Sequence, residues 1–179
     1  MMLVIGAFAM LSLLTLSINA TIINTLSLTA ESEMILNAHA FGQSMLDEIL
    51  TRNFDEKTIL YRAYGPNDLT PATSFGWDFA IERINYVDTT YDSRRKFNDV
   101  DDYHKYRRKV KNALGWTFTL TDSVHYVKEH KDSVDVVSTS QTFYKRISVY
   151  VYNDMLPKKA NGEVIPLVMR DVAVYRRFF

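Results

Sequence analysis

The chain has 179 residues, enough for one domain beside a long N-terminal helix and too few for two full domains. Its 21 basic and 21 acidic side chains cancel, but every Lys and Arg lies from Arg52 onward, and positions 1–51 hold only four acidic residues. Cysteine is absent, which excludes disulfide bonds and thiol chemistry, so the soluble part must be held together by its own core.

The first 29 residues contain no charged side chain. About 20 apolar residues suffice to cross a bilayer as a helix, so Leu3 to Leu28 is long enough to span a membrane. Its polar residues are mostly Ser and Thr, which can bond back to the preceding turn and favour close approach of helices in apolar surroundings. An ordinary membrane anchor and a segment that packs against copies of itself are both open, and the polar content favours the second.

No basic residue precedes or flanks this apolar stretch, although inserting helices and signal peptides normally carry one. We therefore expect that a short basic leader has been removed and that Met1 is the processed N-terminus. Such a chain would begin directly with its helix.

From Glu31 onward the apolar residues recur at spacings of three and four, which predicts an amphipathic helix that ends near Asn53 to Thr58. At 1.5 Å per residue, a helix from Met2 to Asn53 would be about 78 Å long, more than one small domain can bury. Something outside the chain must cover it, first a membrane and then neighbouring subunits. The stripe predicted to pack on a sheet consists of Ile35, Ala38, Gly42, Met45, Leu46 and Ile49.

The rest of the chain predicts a small globular part. Glycine and proline between Gly65 and Pro71 indicate a loop, and the spacing from Asp101 to Leu114 predicts a helix that Gly115 ends. Alternating or β-branched runs predict four strands, with Asn161-Gly162 as the turn before the last. These strands are Trp116–Leu120 with an extension to Val127, Val134–Val137, Tyr144–Tyr152 and Pro166–Phe178.

The predicted fold class is α+β, a long N-terminal helix of about 50 residues packed on an antiparallel β-sheet of about four strands. The predicted parts are an apolar half-helix for the membrane or a filament core (1–29), an amphipathic half-helix (30–56) and a globular head with the sheet (57–179). The aromatic residues, most of which lie in the head, can supply its core.

Few residues suggest site chemistry. Asp99, Asp101 and Asp102 are weak candidates for a metal site, because hard cations bind carboxylate oxygens, but the run lacks the glycine and glutamate of a calcium loop. A turn held by Asp side chains is the favoured interpretation. The basic run from Lys105 to Lys111 could bind phosphates, but a solvated helix face is favoured, and we do not expect nucleic acid as a partner.

The four histidines show no zinc spacing, and no nucleophile elbow or phosphate-binding loop is present. We therefore expect neither a cofactor nor a catalytic residue, and we expect that the protein is not an enzyme.

Three segments together resemble a known family. The long helix ends in AHAFGQSMLDEILTRNFDEKT, Phe97 to His104 reads FNDVDDYH, and Tyr144 to Val151 reads YKRISVYV. The chain resembles type IV pilins and pseudopilins, in particular minor pilins of the mannose-sensitive-haemagglutinin type, which carry similar FDDVDDYHG and KRITVTV stretches. The resemblance covers most of the chain, and FNDVDDYH is its most specific part.

The resemblance implies a structural subunit of an extracellular filament. Such a subunit would sit in the inner membrane before assembly, would need the pilus assembly machinery, and would then polymerise with copies of itself through its N-terminal helix. A secretion pseudopilin and a monomeric membrane-anchored periplasmic binding module are the alternatives. The implied filament-core residues are Leu3, Val4, Ile5, Phe8, Leu11, Leu14, Ile18, Ile22 and Leu26.

Two positions depart from the family pattern. The family usually has a glutamate at the fifth mature position, where this chain has Ile5, and a glycine after the DVDDYH stretch, where it has Lys105. Docking by charge pairing at the fifth position is therefore not expected. The sequence does not distinguish a major from a minor subunit, or adhesion from motility, secretion or DNA uptake.

Overall fold

The computed structural model describes residues 2–76, 87–130 and 133–176, and the elements fall within these ranges. The helices are α1 (Met2–Leu50), α2 (Lys57–Leu60) and α3 (Ser93–Lys96), with 3-10 turns at Pro66–Asp68, Ala72–Ser74 and Asp101–Tyr103. The strands are β1 (Arg107–Lys111), β2 (Thr117–His130), β3 (Ser133–Val137), β4 (Tyr144–Tyr152) and β5 (Leu167–Val174). The chain divides into two compact units, Met1–Leu36 and Asn37–Phe179.

The first unit is helical throughout its described residues. The long N-terminal helix predicted from the sequence is confirmed, and it ends at Leu50, a few residues before the predicted end. The backbone N–H of Arg52 bonds to Ile49 O in a tighter turn, and that of Asn53 bonds to Asn98 O. The helix stops there because its next N–H donor is used by a distant segment of the chain.

The second unit contains one antiparallel sheet in the order β1-β2-β4-β5, with β3 paired to the far end of β2. The fourteen-residue β2 pairs with three other strands. Its residues Thr119 to Tyr126 pair with β4, its first residues pair with β1, and its last residues pair with β3. Strands β1 and β5 are the two outer strands in this order. The predicted α+β class is confirmed, with five strands among the described residues instead of about four.

The core of the second unit lies between the sheet and the last turns of α1. Alternate residues of β2 and β4 are buried, and α1 contributes its apolar stripe from Ala38 onward. The rings of Phe41 and Phe118 are 5.3 Å apart, as expected for packed aromatic side chains. The buried residues of the stripe are Ala38, Gly42, Met45, Leu46 and Ile49.

Ile35 lies on the same stripe but differs from the other positions. It belongs to the first unit, and 40% of its surface is exposed. Met34, the residue before it, is only 3% exposed, so the buried face of the helix passes through Met34 and leaves Ile35 at its margin.

Gly42 marks a close approach of α1 to the sheet. A Cβ atom added there would lie 2.7 Å from Met169 Sδ in β5 and 3.0 Å from Val151 Cγ2 in β4. Met169 is flexible and can move, whereas Val151 is a buried residue of a central strand. The contact explains why glycine stands inside a helix despite a propensity cost of about 1 kcal/mol relative to alanine.

This contact predicts opposite outcomes for two substitutions. Gly42→Leu should destabilise the protein by about 1–3 kcal/mol, because it overpacks a close contact. Gly42→Ala should stay within about 1 kcal/mol of the wild type, because the gain in helix propensity offsets the shift of Met169. Urea unfolding of the full chain in detergent, followed by tryptophan fluorescence, measures both. Equal effects of the two substitutions would contradict the close packing.

The helix predicted from Asp101 to Leu114 is wrong. Only a 3-10 turn forms at Asp101–Tyr103, and the chain then enters the edge strand β1. Tyr106, Arg108 and Val110 are buried and alternate with exposed residues, which is the period of a strand. The helical interpretation treated Arg108 as a solvated residue, so it missed this alternation.

The other predicted strands are confirmed with changed limits. Trp116–Leu120 and its extension belong to one strand, β2, and the run at Val134–Val137 is β3. Tyr144–Tyr152 is β4 with its predicted limits, whereas β5 is shorter than predicted, and the predicted Phe178 lies outside the described residues. Gly162 has φ +81°, a conformation that suits the predicted turn at Asn161-Gly162.

Candidate functional site

The described side chains of α1 from residue 5 to residue 28 form a largely apolar and exposed surface. Its hydroxyl residues donate to the carbonyl four residues back, as Thr15 does to Leu11 O at 2.8 Å and Thr21 to Ser17 O at 2.9 Å. These hydroxyl groups are therefore satisfied inside the helix, and the surface offers mostly apolar side chains to its surroundings. The exposed residues among the predicted filament-core positions are Ile5, Phe8, Leu11, Leu14, Ile18, Ile22 and Leu26.

Leu3 and Val4, the first two predicted core positions, have side chains outside the described set. By length and composition, α1 could cross a membrane: a span within Ile5–Leu50 has a mean hydropathy of 1.8, and none of its apolar window is buried. The structure thus contains a large apolar surface that its own described residues leave uncovered.

In the second unit, an ion network attaches α1 to the edge of the sheet. Arg108 of β1 donates to both carboxylate oxygens of Glu48 in α1, at 2.9 and 2.6 Å. Ser93 and Tyr103 donate to the same carboxylate, at 2.7 and 3.0 Å. A two-pronged guanidinium–carboxylate pair is strong and directional, so it holds the helix in one register on the sheet.

The charges in this network are stabilised by their partners. Burial opposes ionisation of Glu48, but hydrogen bonds from Arg108 and Ser93 outweigh it and lower the pKa of Glu48 to about 2. Because the folded pKa lies below the unfolded value, the stabilisation from Glu48 is complete above about pH 4.5 and is lost as the pH falls towards 2.

A second ion network surrounds Lys145 of β4. Its side chain is fully buried, and Nζ donates to Phe54 O at 2.6 Å, Asp55 Oδ2 at 3.1 Å and Asp101 Oδ1 at 2.6 Å. The ammonium group also lies 4.6 Å from the ring centroid of Phe54, within cation–π distance. One lysine therefore joins β4 to the segment after α1 and to the turn at Asp101–Tyr103.

The Asp cluster proposed as a weak metal site forms part of this network. Asp101 pairs with Lys145, while Asp99 accepts the backbone N–H of Glu56 at 2.6 Å and Asp102 accepts that of Asn98 at 2.8 Å. Burial, followed by the charges of Asp101 and Asp102, raises the pKa of Asp99 to about 8. Within the described ranges, no group of three or more acidic or histidine side chains could hold a metal ion.

Asp122 is a buried carboxyl group on the core-facing side of β2. Neither of its oxygens has a hydrogen-bond partner among the described residues. Burial raises its pKa well above the ordinary value, and the positive charge of Arg108 only partly opposes this effect. Burial without a hydrogen-bond partner therefore favours the neutral form of the Asp122 carboxyl group in the folded protein.

Asp122 should make stability fall as the pH rises. Its folded pKa is raised, so above about pH 4 the unfolded chain releases a proton that the folded chain keeps. Relative to Asp122→Asn, which cannot ionise, the wild type should lose up to about 1.4 kcal/mol of unfolding free energy per pH unit. Urea unfolding of both proteins at pH 5 and pH 8 gives this difference. Parallel pH curves would show that Asp122 is ionised in the folded state.

The basic run is placed differently from its prediction. Arg107, Lys109 and Lys111 are exposed on β1, whereas Arg108 is buried against Glu48. The exposed basic side chains lie on a short edge strand and not along a helix. The absence of a nucleic-acid partner remains a prediction.

One pair in β2 has the geometry of a nucleophile and its base. Ser123 Oγ lies 2.7 Å from His125 Nε2, and the rings of His125 and His104 are 5.4 Å apart. A catalytic triad also needs an acid that orients the histidine. Burial lowers the pKa of His125, and the positive charges of Arg146 and Lys105 lower it further. The expectation that the protein is not an enzyme stays a prediction.

No protein-family model matches the chain, and no curated protein or solved structure matches it at a significant level. The sequence and the structure are therefore the only grounds for a function.

The sequence reasoning missed Lys145, Arg108, Glu48 and Asp122. Three of them could have been recognised from the alternation of residues along the strands. In β4, Lys145 lies on the same face as the buried Ile147 and Val149. In β2, Asp122 lies on the same face as the buried Leu120 and Val124. A charged residue in phase with buried apolar neighbours indicates a buried ion or acid, and Arg108 follows the same rule once β1 is recognised.

Proposed function

We propose that this protein is a structural subunit of a type IV pilus-like extracellular filament and that it polymerises through the apolar N-terminal part of α1. The resemblance in the residues supports the proposal, and the exposed apolar surface of residues 5–28 is the observation that carries it. Such a surface requires a covering of lipid or of other chains, because water is a poor solvent for it.

Covering this surface is favourable relative to water, whether lipid or other copies of the chain cover it. Full burial of one Leu, Ile or Phe stabilises by about 1.5–3 kcal/mol relative to water. Seven exposed core positions repeat in every copy, from Ile5 to Leu26. Contacts between different surfaces of successive copies generate a helical filament when the rotation between them does not close a ring.

The location follows from the same surface. A candidate membrane-spanning helix suits storage in a membrane, and we propose the inner membrane before assembly and the cell surface afterwards. The satisfied hydroxyl groups of Thr15 and Thr21 allow α1 to lie either in lipid or among other helices. Transfer between the two environments would need the pilus assembly machinery.

Two alternatives have lower support. A secretion pseudopilin would use the same helix in a shorter filament, and a monomeric membrane-anchored module would use it only as an anchor. A simple anchor would end near Leu28 in a flexible linker, whereas α1 continues to Leu50 without interruption. The continuity favours a subunit whose helix has a further role.

The deciding experiment is negative-stain electron microscopy of material sheared from the producing cells, with mass spectrometry of the pellet. Thin filaments composed chiefly of this chain would support a main subunit, and filaments with traces of it would support a minor one. If the chain stays in the membrane and no filament contains it, the anchored module is the better account.

A further inference from the structure

The β-sheet of the second unit has a core face, which packs on α1, and an opposite face, which we call the outer face. On β1, Arg107, Lys109 and Lys111 are exposed and Arg108 between them is buried, so the three exposed side chains lie on the outer face. The strand register continues this face across β2, β4 and β5. Its positions in β1, in residues 117–126 of β2, in β4 and in β5 include basic, hydroxyl and aromatic residues but no Asp or Glu.

The positive charges along β1 on the outer face are unpaired. The side chains of Arg107, Lys109 and Lys111 have no hydrogen bond or ion pair with any described residue. On the core face, in contrast, Arg108 is paired with Glu48. The whole chain has equal numbers of basic and acidic residues, so the outer face concentrates uncompensated positive charge in a neutral protein. Such a concentration of charge attracts anionic molecules.

The spacing of these charges favours a polymer over a small anion. Alternate residues of a strand are about 6.8 Å apart, so the row from Arg107 to Lys111 is about 14 Å long. Arg170 of β5 is also exposed on the outer face, and three strand spacings, or about 14 Å, separate β5 from β1. One small ion cannot contact charges this far apart, whereas an extended chain with repeated anionic groups can reach them.

Hydroxyl groups lie beside the basic row. In the strand register Thr121 is the partner of Arg107, and Thr119 is the partner of Lys109. Tyr150 of β4 is the neighbour of Thr121 on its other side. Hydroxyl groups both donate and accept hydrogen bonds, and Lys and Arg bind carboxylates through charge-assisted hydrogen bonds. The combination matches a polymer whose units carry hydroxyl and carboxylate groups together.

The aromatic residues of the outer face fit a single-stranded nucleic acid less well. Proteins hold such strands by stacking successive bases on aromatic rings. Tyr150 is half-buried and Tyr152 is 36% exposed, so these residues offer only part of their rings for stacking. The basic and hydroxyl side chains of the face therefore favour a sugar polymer.

We propose that the outer face of the sheet binds an acidic polysaccharide, a chain of sugar units that carry carboxylate groups. The basic row of β1 binds the carboxylates, and Thr119 and Thr121 form hydrogen bonds with the sugar hydroxyl groups. The site lies in the second unit and does not depend on assembly of a filament, so it goes beyond the function proposed above.

A titration of the full chain in an uncharged detergent tests the site. The probe is a labelled fragment of polygalacturonate, whose units each carry a carboxylate, and binding is measured by fluorescence anisotropy. The protein should bind it at low salt, and the affinity should fall as the salt concentration rises, because salt screens exposed charges. A flat titration at low salt, or equal binding of the neutral polysaccharide dextran, would overturn the proposal.

Substitutions locate the site on the protein. The triple variant Arg107→Gln, Lys109→Gln and Lys111→Gln should bind polygalacturonate about tenfold more weakly, because it loses the complementary charges. The matched control removes the same charge at three exposed positions outside the sheet, with Lys57→Gln, Arg95→Gln and Lys158→Gln. The control should bind like the wild type. Equal losses in the two triple variants would show that net charge decides binding and would overturn the site.

The hydroxyl groups distinguish a polysaccharide from other polyanions. Thr119→Val with Thr121→Val keeps every charge and suits a strand, yet it should weaken polygalacturonate binding severalfold, because it removes two hydrogen-bonding groups. Unchanged binding in this variant would overturn the assignment to a polysaccharide. Tighter binding of a single-stranded oligonucleotide with the same number of charges would assign the face to nucleic acid and would overturn it as well.

Discussion

Leu14→Lys should abolish filament assembly while the second unit stays folded. Leu14 is 61% exposed in the first unit and belongs to the surface proposed to form the filament core. The substitution removes about 1.5–3 kcal/mol of burial per subunit. It also places an unpaired ammonium group in apolar surroundings, at a cost of several kcal/mol more. Because each copy carries the change, the loss recurs at every step of polymerisation.

The effect can be separated from a failure of insertion. A lysine at the centre of a membrane helix costs about 2.5–3.5 kcal/mol on the insertion scale, which the remaining uncharged residues of the span can offset. The membrane fraction should therefore contain the variant at a level near that of the wild type, while the sheared fraction contains none.

Leu114→Lys is the matched control, because it makes the same change at a position in the second unit that is 63% exposed. This variant should form filaments at the wild-type yield. Intact filaments of the Leu14→Lys variant would show that the core does not involve this surface and would remove the main support for the proposed function.

Lys145→Met should destabilise the second unit by about 3–5 kcal/mol, since it leaves buried carboxylates without their cation. Lys145 bonds Asp55 at 3.1 Å and Asp101 at 2.6 Å. The side chains of Lys145 and Asp55 are fully buried, and that of Asp101 is 6% exposed. Domains of this size have about 5–15 kcal/mol of stability in total, so a large share would be lost. Urea unfolding of the full chain in detergent, followed by tryptophan fluorescence, measures the effect.

The pH dependence distinguishes an electrostatic cause from a loss of packing. Burial already raises the pKa of Asp101, although Lys145 opposes it, and removal of the lysine raises the pKa further. The folded variant then holds protons that the unfolded chain releases above about pH 4, so its deficit relative to the wild type should grow as the pH rises from 5 to 8. A constant deficit across this range would indicate lost packing instead.

Lys159→Met gives the control for an ion pair in solvent. Lys159 and Glu163 are 2.9 Å apart, but both side chains are more than half exposed. Exposed pairs contribute about 0–1 kcal/mol, so this variant should unfold close to the wild type. A deficit equal to that of Lys145→Met would contradict the assignment of a special role to the buried network.

The fold class could be predicted because it depends on local patterns. Twenty-nine residues without a charge can form a continuous helix in an apolar environment, and a stripe from Ala38 to Ile49 specifies the face that packs on the sheet. Alternation in Tyr144–Tyr152 predicted β4 with its limits. Each of these signals is complete within a few turns or strand residues, so no distant part of the chain was needed.

Only the tertiary structure decided which charged residues are buried and with whom. Lys145 meets Asp55, which lies 90 residues earlier, and Asp101, which lies 44 residues earlier. Arg108 meets Glu48 across 60 residues, and backbone pairing with β2 makes the run around it the edge strand β1 in place of a helix. A buried charge is stable only beside a compensating group, and the chain's topology determines which group arrives there. The sequence by itself therefore determined the elements and the uncovered helix surface, while the ion networks that hold the sheet to the helix followed from the fold.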